Sequence, residues 1–306
     1  MAADRRIVKA IMGFKTEDTK GTFIEPAAGA FVYNLTVPSI TPNFLETRSA
    51  NGSMTNTKNG NVIAEQEVSC TFDIPVQNAT STSYLVNYSE LFNAAGMDCS
   101  VVVSDNVVTA SEVSKTISFT YNVEGQEYKV RGAVADATLT LNAGENAMWS
   151  FEVKGFLESV VTESAIAVTG TEFDFWVVEG CTTSAIYSAL TSKIDKVEIK
   201  LNNTSTAVKC GTADRGASHF VNTSRKPTGD FKGVELNSLI LYTAGTTADY
   251  NFIIASETHT LTLSAKGVVS AITPSDTDGL QKEDITTTLL SDSGSELTLT
   301  TAVIEE

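Results

Sequence analysis

The sequence predicts a mainly β fold, arranged as two tandem β-sandwich or barrel domains with few helices. Three observations lead to this prediction. Apolar and polar residues alternate through much of the chain, which is typical of strands with one buried face. Turn-forming Gly, Pro, Asn and Asp residues separate these alternating segments. One clear helix is predicted, at about residues 83–96.

The clearest strand pattern lies between Ile117 and Phe156. It predicts an antiparallel meander of four strands, with turns at Glu124-Gly125, Arg131-Gly132 and Ala143-Gly144-Glu145. These strands are expected to share one apolar face and to supply much of the core of the first half. The residues predicted for that face are Ile117, Phe119, Tyr121, Val123, Tyr128, Val130, Ala135, Ala137, Leu139, Leu141, Trp149, Phe151 and Val153.

A shorter strand is predicted at Glu65–Ile74, ahead of the helix. Its apolar face holds Val68, Cys70, Phe72 and Ile74, and its polar face holds Glu67, Ser69, Thr71 and Asp73. Cys70 is therefore expected in the core. The polar face is either an ordinary solvated surface or a wall that must not bind polyanions.

The predicted helix combines an apolar stripe with a stop signal. Leu85, Tyr88, Leu91, Phe92 and Ala95 recur at three- and four-residue spacing. Gly96 follows them, where a left-handed C-cap is expected. A single amphipathic helix among strands is expected to close one side or end of a sandwich or barrel.

The chain divides into two predicted domains. The first covers residues 1–160 and includes a long polar loop at 41–63, and the second covers residues 161–306 and includes a long polar loop at 202–233. The joint is expected near residues 158–170. A strand at Lys196–Leu201 opens the clear pattern of the second half, and both halves then run strand, polar loop, further strands. Duplication is the simplest organisational hypothesis.

Charge and cysteine usage limit the possible partners. The chain has 21 Lys and Arg against 37 Asp and Glu, so its net charge is 21 − 37 = −16. Both halves are acidic, which disfavours binding to the phosphate backbone of nucleic acid. The four cysteines are far apart without a CxxC pair, so neither zinc nor a disulfide framework is indicated. We expect no signal peptide and no membrane anchor.

No catalytic constellation is present in the sequence. His219 and His259 have no metal-ligand spacing around them, and the Asp276 to Asp284 segment lacks the spacing of a calcium loop. No GxSxG, P-loop or GxGxxG motif occurs. We therefore predict that the protein is not an enzyme, with no catalytic residues, no cofactor and no metal site.

Several segments, in order, resemble bacteriophage tail tube proteins of the two-domain tandem type. In the first half these are SITPNFLETR (39–48), YSELFNAAGM (88–97) and VEGQEYKVRGAVADATLTLNAGENAMWSFEVKGF (123–156). In the second half they are DRGASHFVNTSRKPTGD (214–230) and DTDGLQKEDITTTLL (276–290). The resemblance rests on the whole set of segments in this order along the chain.

The resemblance implies a virion structural protein of the tail, assembled in the host cytoplasm. Such proteins form stacked rings, here trimeric with pseudo-sixfold symmetry or hexameric, around a channel through which viral DNA passes without specific binding. Other phage tail proteins would meet the tube ends, and no membrane is involved. Residues expected to face the channel are Glu67, Ser69, Thr71, Asp73, Asp136, Glu152 and Glu198. Residues expected in loops between rings or subunits are Arg48, Asn51, Lys58, Asn59, Asp214, Arg215, Arg225 and Lys226.

A second function class stays open, a carbohydrate- or receptor-binding β protein such as an adhesin or tail-tip module. A glycan binder is expected to expose aromatic rings for stacking on sugars. The loops at 46–61 and 202–218 contain no aromatic residue, and Phe220 and Phe231 only border them. The aromatic pattern therefore favours the structural tube protein.

Overall fold

The computed structural model describes residues 9–36, 38–46, 61–76, 82–102, 105–110, 114–123, 125–162, 166–168, 178, 181–186, 190–191, 194–209, 217–235, 247–255, 259–277, 280–290 and 297–303. It confirms the mainly β fold. The elements of the first half are β1 (Lys9–Thr16), β2 (Gly29–Tyr33), β3 (Ser39–Glu46), β4 (Asn61–Pro75), α1 (Thr82–Ala94), β5 (Met97–Val102), β6 (Asp105–Ala110), β7 (Ile117–Val123), β8 (Gln126–Asn142) and β9 (Met148–Val161).

The second half continues with strands in the described ranges. They are β10 (Cys181–Ile186), β11 (Leu190–Thr191), β12 (Lys196–Lys200), β13 (Thr204–Lys209), β14 (Ala217–Ser224), β15 (Thr228–Glu235), β16 (Thr247–Ala255), β17 (His259–Thr277), β18 (Leu280–Leu290) and β19 (Leu297–Val303). Seventeen strands form one hydrogen-bonded sheet, and β13 and β14 form a separate hairpin.

The predicted helix is confirmed as α1. Tyr88, Leu91, Phe92 and Ala95 are fully buried, as the apolar stripe requires. Gly96 has a φ of 75°, the left-handed conformation of a helix C-cap that glycine adopts without a steric penalty. Helical spacing and the terminal glycine were therefore sufficient to place this element.

The predicted meander is confirmed in outline but has three strands, not four. The turns at Gly125 and Gly144 are present, both with φ near 80°. The predicted turn at Arg131-Gly132 is wrong, because β8 runs through it without reversing. Gly132 instead lies at a bulge, where the β8–β9 register shifts between Arg131 and Val134 and φ is 58°.

Strands of the first half close into a circuit around the core. The ladders run from β1 to β7, β8, β9, β4 and β2, and β2 pairs back with β1. Helix α1 contributes Phe92 to the enclosed core, with its ring 5.5 Å from Trp149 and 5.4 Å from Phe151 in edge-to-face geometry. Phe72 stacks on Phe151 at 6.1 Å from the opposite strand.

The sheet continues from the first half into the second through two ladders. Strand β8 pairs with β12, and β6 pairs with β19. From β12 the sheet runs to β15, β18, β17, β16 and β10. The predicted joint near 158–170 begins at the end of β9, and the division of the chain into two domains stays a prediction.

The two predicted long loops have different outcomes. The loop at 41–63 is shorter than predicted, since β3 and β4 extend into it and pair as a hairpin; residues 47–60 lie outside the described residues. The prediction of a long loop at 202–233 is wrong, because β13, β14 and most of β15 occupy it. The Thr, Ser and Asn residues of the β13–β14 hairpin lie at exposed or half-buried positions, which accounts for the polar composition that resembles a loop.

Candidate functional site: the polar face of the sheet

The residues predicted to line a channel lie on one continuous face of the large sheet. The strands follow the order β3, β4, β9, β8, β12, β15, β18 and β17. Residues paired across neighbouring strands project to the same side, so the register identifies the residues that share a face. We define the polar face as Glu67, Ser69, Thr71, Asp73, Asp136, Thr138, Thr140, Ser150, Glu152, Lys154, Lys196, Glu198, Lys200, Thr228, Asp230, Thr286 and Thr288.

Strands β4, β9 and β8 bring the predicted residues of the first half into rungs. Thr71 lies opposite Glu152, which lies opposite Asp136. Asp73 lies opposite Ser150 in the next rung. The opposite face of β4 is core, with side chains at most 2% exposed: Val68, Cys70, Phe72 and Ile74. The predicted alternation along this strand is therefore confirmed.

The rungs continue across the junction between the halves. Glu198 on β12 lies opposite Thr140 on β8 and opposite Asp230 on β15. Lys200 likewise lies opposite Thr138 on β8. Predicted residues that are more than a hundred positions apart in the sequence thus belong to a single surface.

Ion pairs give this surface a mixed charge. Lys154 lies 2.7 Å from Glu152, and Lys200 lies 3.4 Å from Glu198 and 3.5 Å from Asp230. The residues that define the polar face include six carboxylates and three lysines, a formal charge of 3 − 6 = −3. On the same side of the sheet, the register also places Glu65, Asp284, Lys232 and Lys282, whose charges cancel. Exposed pairs of this kind contribute only about 0–1 kcal/mol each to stability. The lysines mainly moderate the negative potential of the face.

The β13–β14 hairpin covers one end of the polar face. Phe220 on β14 stacks on Phe156 of β9, with ring centroids 4.6 Å apart and an interplanar angle of 19°. Val134 and Ala217 complete this small apolar cluster, which is separate from the main core. The hairpin, which belongs to the second half, is therefore docked on strands of the first.

Asp136 lies beside the docked hairpin and is only half-exposed to solvent. The backbone amide of Asn203 donates to its Oδ1 at 3.0 Å. Burial raises the pKa of Asp136, and the neighbouring Glu152 raises it further; hydrogen bonds from two backbone amides and the charge of Lys154 oppose the increase. Asp136 therefore lies on the predicted face, but less openly than Glu152.

Three side chains near the hairpin also bind the C-terminal end of α1. Carbonyl groups in the last turn of a helix have no partner within the helix. Here the carbonyl of the last helical residue and those of the two residues after it accept hydrogen bonds from the second half of the chain. The three bonds are Asn203 Nδ2 to Ala95 O at 2.8 Å, Asn222 Nδ2 to Ala94 O at 3.3 Å, and Arg225 to Gly96 O at 2.8 Å.

This arrangement corrects the prediction for Arg225. It was expected in an exposed loop between subunits, but it is half-buried and its guanidinium bonds within the chain. Lys226, next to it, is exposed as expected. The other predicted loop residues lie outside the described residues: Arg48, Asn51, Lys58, Asn59, Asp214 and Arg215.

A buried carboxylate that the sequence did not indicate supports the same region. Glu17 is 6% exposed and accepts hydrogen bonds from Ser118 Oγ at 2.9 Å and from the Gly132 and Gly21 amides at 2.6 Å each. Arg131 donates to Gly21 O at 3.0 Å and to a carbonyl of β14 at 2.8 Å. Glu17 thus ties the bulge to the segment that follows β1, and no local motif predicts such long-range bonds.

The cysteines and histidines whose side chains the structure describes are buried or half-buried. Cys70 is buried, as predicted, and burial raises its pKa to about 12. His219 is half-buried with Nδ1 3.0 Å from Ser218 Oγ, and burial lowers its pKa. His259 lies in β17, with its side chain outside the described part. Among the described residues no three His, Cys, Asp or Glu side chains are placed to hold a metal ion.

Within the described residues, no helix combines the length and the apolar character that crossing a membrane requires. No protein-family model matches the chain, and no curated protein matches it.

Proposed function

We propose that this protein is the structural subunit of a phage tail tube, which assembles as stacked rings around a channel for viral DNA. The observation that carries the proposal is the polar face, a single surface that runs over six hydrogen-bonded strands from both halves. The channel residues suggested by the resemblance all lie on this surface. A tube wall requires a broad sheet of this kind with a core behind it.

The chemistry of the face suits a polyanion that must slide and not bind. Six carboxylates outnumber three lysines, and each of these lysines lies within 3.6 Å of a carboxylate: Lys154 of Glu152, Lys196 of Glu198, and Lys200 of Glu198 and Asp230. DNA is held by proteins mainly through unpaired Lys and Arg on its phosphates. Paired lysines offer weaker attraction, and the residual negative charge repels phosphates within about 8 Å at physiological salt.

Hydroxyl side chains fill the space between the charges. Thr71, Thr138 and Thr140 on the first half are matched by Thr228, Thr286 and Thr288 on the second. Short hydroxyls can be hydrated without projecting far from the sheet. A smooth, hydrated, weakly anionic wall follows from this composition.

The carbohydrate-binding alternative gains no support from this surface. None of the residues that define the polar face is aromatic, and the neighbouring Phe156 is covered by Phe220. Sugar binding by stacking needs an accessible ring.

Electron microscopy of the purified protein tests the proposal. We expect hollow tubes with a regular ring repeat, formed spontaneously or on the addition of a tail-tip initiator. A protein that stays monomeric under every condition of concentration, salt and initiator would count decisively against it.

A further inference from the structure

The two halves of the chain use the same strand order within the polar-face sheet. In the first half the order is β3, β4, β9, β8, and in the second it is β12, β15, β18, β17. In each group the first two strands form a hairpin with a long connection, residues 47–60 or 201–227, and the last two form a hairpin that contains the longest strand of that half. If the four strands of each group are numbered in chain order, both groups have the order 1, 2, 4, 3 across the sheet.

The similarity extends to the strands that flank each group. Strand β7 pairs with the first part of β8, as β16 pairs with the first part of β17. Strand β1 pairs with β7, as β10 pairs with β16. Six strands in each half thus have equivalent positions, which supports the duplication hypothesis through topology.

We infer that the β8–β12 junction is an internal copy of the contact between chains: the free edge of β17 in one copy pairs antiparallel with the free edge of β3 in a second copy. The equivalence determines which edges meet. Since β8 corresponds to β17 and β12 corresponds to β3, the ladder that joins the halves predicts the ladder that joins the chains. This inference rests on the proposed function and names the contact that the ring would use.

The junction shows what such a contact requires. Five residues of β12 pair with β8, from Lys196 opposite Asn142 to Lys200 opposite Thr138. The alternate residues Val197 and Ile199 are at most 2% exposed and join the core. One short antiparallel ladder thus continues both the polar face and the apolar layer behind it.

In the described part of the chain, each of the two proposed strand segments forms a ladder along one of its two edges only. Strand β3 pairs with β4 alone, and residues 269–277 of β17 pair with β18 alone. Unpaired strand edges expose backbone donors and acceptors that pair readily with another strand. The eight residues of β3 and the nine of this β17 segment exceed the five that the internal junction uses.

The side chains of these edges match the pattern of the junction. On β3, Thr41 faces the polar side and Ile40 packs partly buried against the core. On β17, Thr273 faces the polar side and Ile272 packs partly buried against the core. Pairing would finish the burial of both isoleucines, as the junction does for Ile199.

Prolines limit the length of the proposed ladder. Pro42 in β3 and Pro274 in β17 cannot donate a backbone hydrogen bond. Proline on an edge strand also reduces uncontrolled pairing with other proteins. The contact is therefore expected to be short, centred near Ser39–Thr41, and to form only when neighbouring copies are aligned in a ring.

Engineered cysteines test the pairing in the full-length chain. The variant Thr41→Cys combined with Thr273→Cys, or with Ala271→Cys one rung away, places both thiols on the polar side. The matched control, Thr41→Cys with Ile272→Cys, places them on opposite sides of the sheet. After mild oxidation of assembled material, we expect a ladder of disulfide-linked multimers from one of the same-face pairs and at least tenfold less from the control.

Electron microscopy of the same samples separates this inference from the proposed function. Tubes that form without a same-face cross-link, or with equal cross-linking of the control, would overturn the β17–β3 pairing and leave the tube function standing. Cross-linked rings or chains that never form hollow tubes would support the pairing and contradict the tube function. Monomers without any cross-link would overturn both.

Discussion

Asp136 and Glu152 lie directly opposite each other on β8 and β9, and both project to the polar face. Like charges at directly opposed positions of an antiparallel pair destabilise a sheet. Two contacts moderate the repulsion: Lys154 lies 2.7 Å from Glu152, and the Asn203 amide donates to Asp136 at 3.0 Å. The sheet therefore retains an opposed pair of carboxylates whose repulsion is only partly offset.

The raised pKa of Asp136 predicts a pH-dependent effect of Asp136→Asn. The folded protein binds this proton more tightly than the unfolded chain, whose carboxyl has the ordinary pKa of 3.8. The resulting stabilisation is complete below pH 3.8 and is lost as pH rises through the folded-state pKa. At pH 7 the variant should thus have a free energy of unfolding higher by about 0.5 kcal/mol, because it has no charge to bury beside the hairpin and no repulsion from Glu152.

Denaturant unfolding from pH 3 to pH 8 measures this difference. The advantage of Asp136→Asn should shrink towards zero at the acid end. Asp18→Asn, at an exposed carboxylate outside the polar face, controls for the general loss of charge. A variant that is less stable than the parent at pH 7 would contradict the assignment.

The bulge at Gly132 predicts a large difference between two glycine substitutions. Gly132 has a φ of 58°, and a Cβ added there would lie 2.7 Å from the Cα of His219. Gly125 also has a positive φ, 80°, but a Cβ there meets nothing within 4 Å. Gly125→Ala should lower the free energy of unfolding by about 1 kcal/mol, through backbone strain alone. Gly132→Ala should lower it by about 3 kcal/mol or more, because the steric clash adds to the backbone strain.

Thermal unfolding measures both variants, and hydrogen exchange locates the damage. Faster exchange in β14 of Gly132→Ala, with little change in Gly125→Ala, is expected. Equal destabilisation by the two substitutions would show that β14 does not pack on the bulge.

The bond between Arg225 and Gly96 predicts that Arg225→Ala weakens the end of α1. A cation at a helix C-terminus and a charge-assisted hydrogen bond together contribute about 1–2 kcal/mol. The adjacent Lys226 is exposed, so Lys226→Ala provides a control that removes the same charge. Circular dichroism melting should show a lower Tm for Arg225→Ala and little change for Lys226→Ala. Identical melting curves would return Arg225 to the set of candidate loop residues.

From the proposed function we predict that neutralising Glu67 and Asp73 slows the passage of DNA through the tube. Glu67→Gln with Asp73→Asn changes the formal charge of the polar face from −3 to 3 − 4 = −1 per chain. Phosphates should then approach the lysines more closely, and DNA release from phage particles should be slower and more salt-dependent. Asp18→Asn with Asp98→Asn removes the same charge from exposed positions outside the polar face. Equal release rates for both double variants would contradict a channel-facing position for Glu67 and Asp73.

The sequence was sufficient wherever structure follows from short-range periodicity. Alternation between Glu67 and Ile74 predicted both faces of β4 correctly, because a strand repeats every two residues. Helical spacing before Gly96 placed α1 to within about two residues. These signals are local and need no knowledge of what packs against the element.

Long-range contacts account for what the sequence did not predict. Gly132 was interpreted as a turn because glycine serves both turns and bulges, and only the approach of His219 distinguishes them here. The sequence predicts a loop at Asn203 and Asn222, because polar residues that bind a helix end in the other half of the chain resemble solvated ones. Glu17 gave no signal because its donors come from distant segments.

The position of the polar face in an assembled tube tests the central claim most directly. A cryo-electron microscopy map of tubes grown from the purified protein would locate the strand that contains Glu67 and Asp73 relative to the tube axis. We predict that this strand forms the inner wall, with α1 behind it and the polar side chains pointing into the channel. Tubes whose polar face lies on the outer surface, or a chain that forms no tube, would contradict the account.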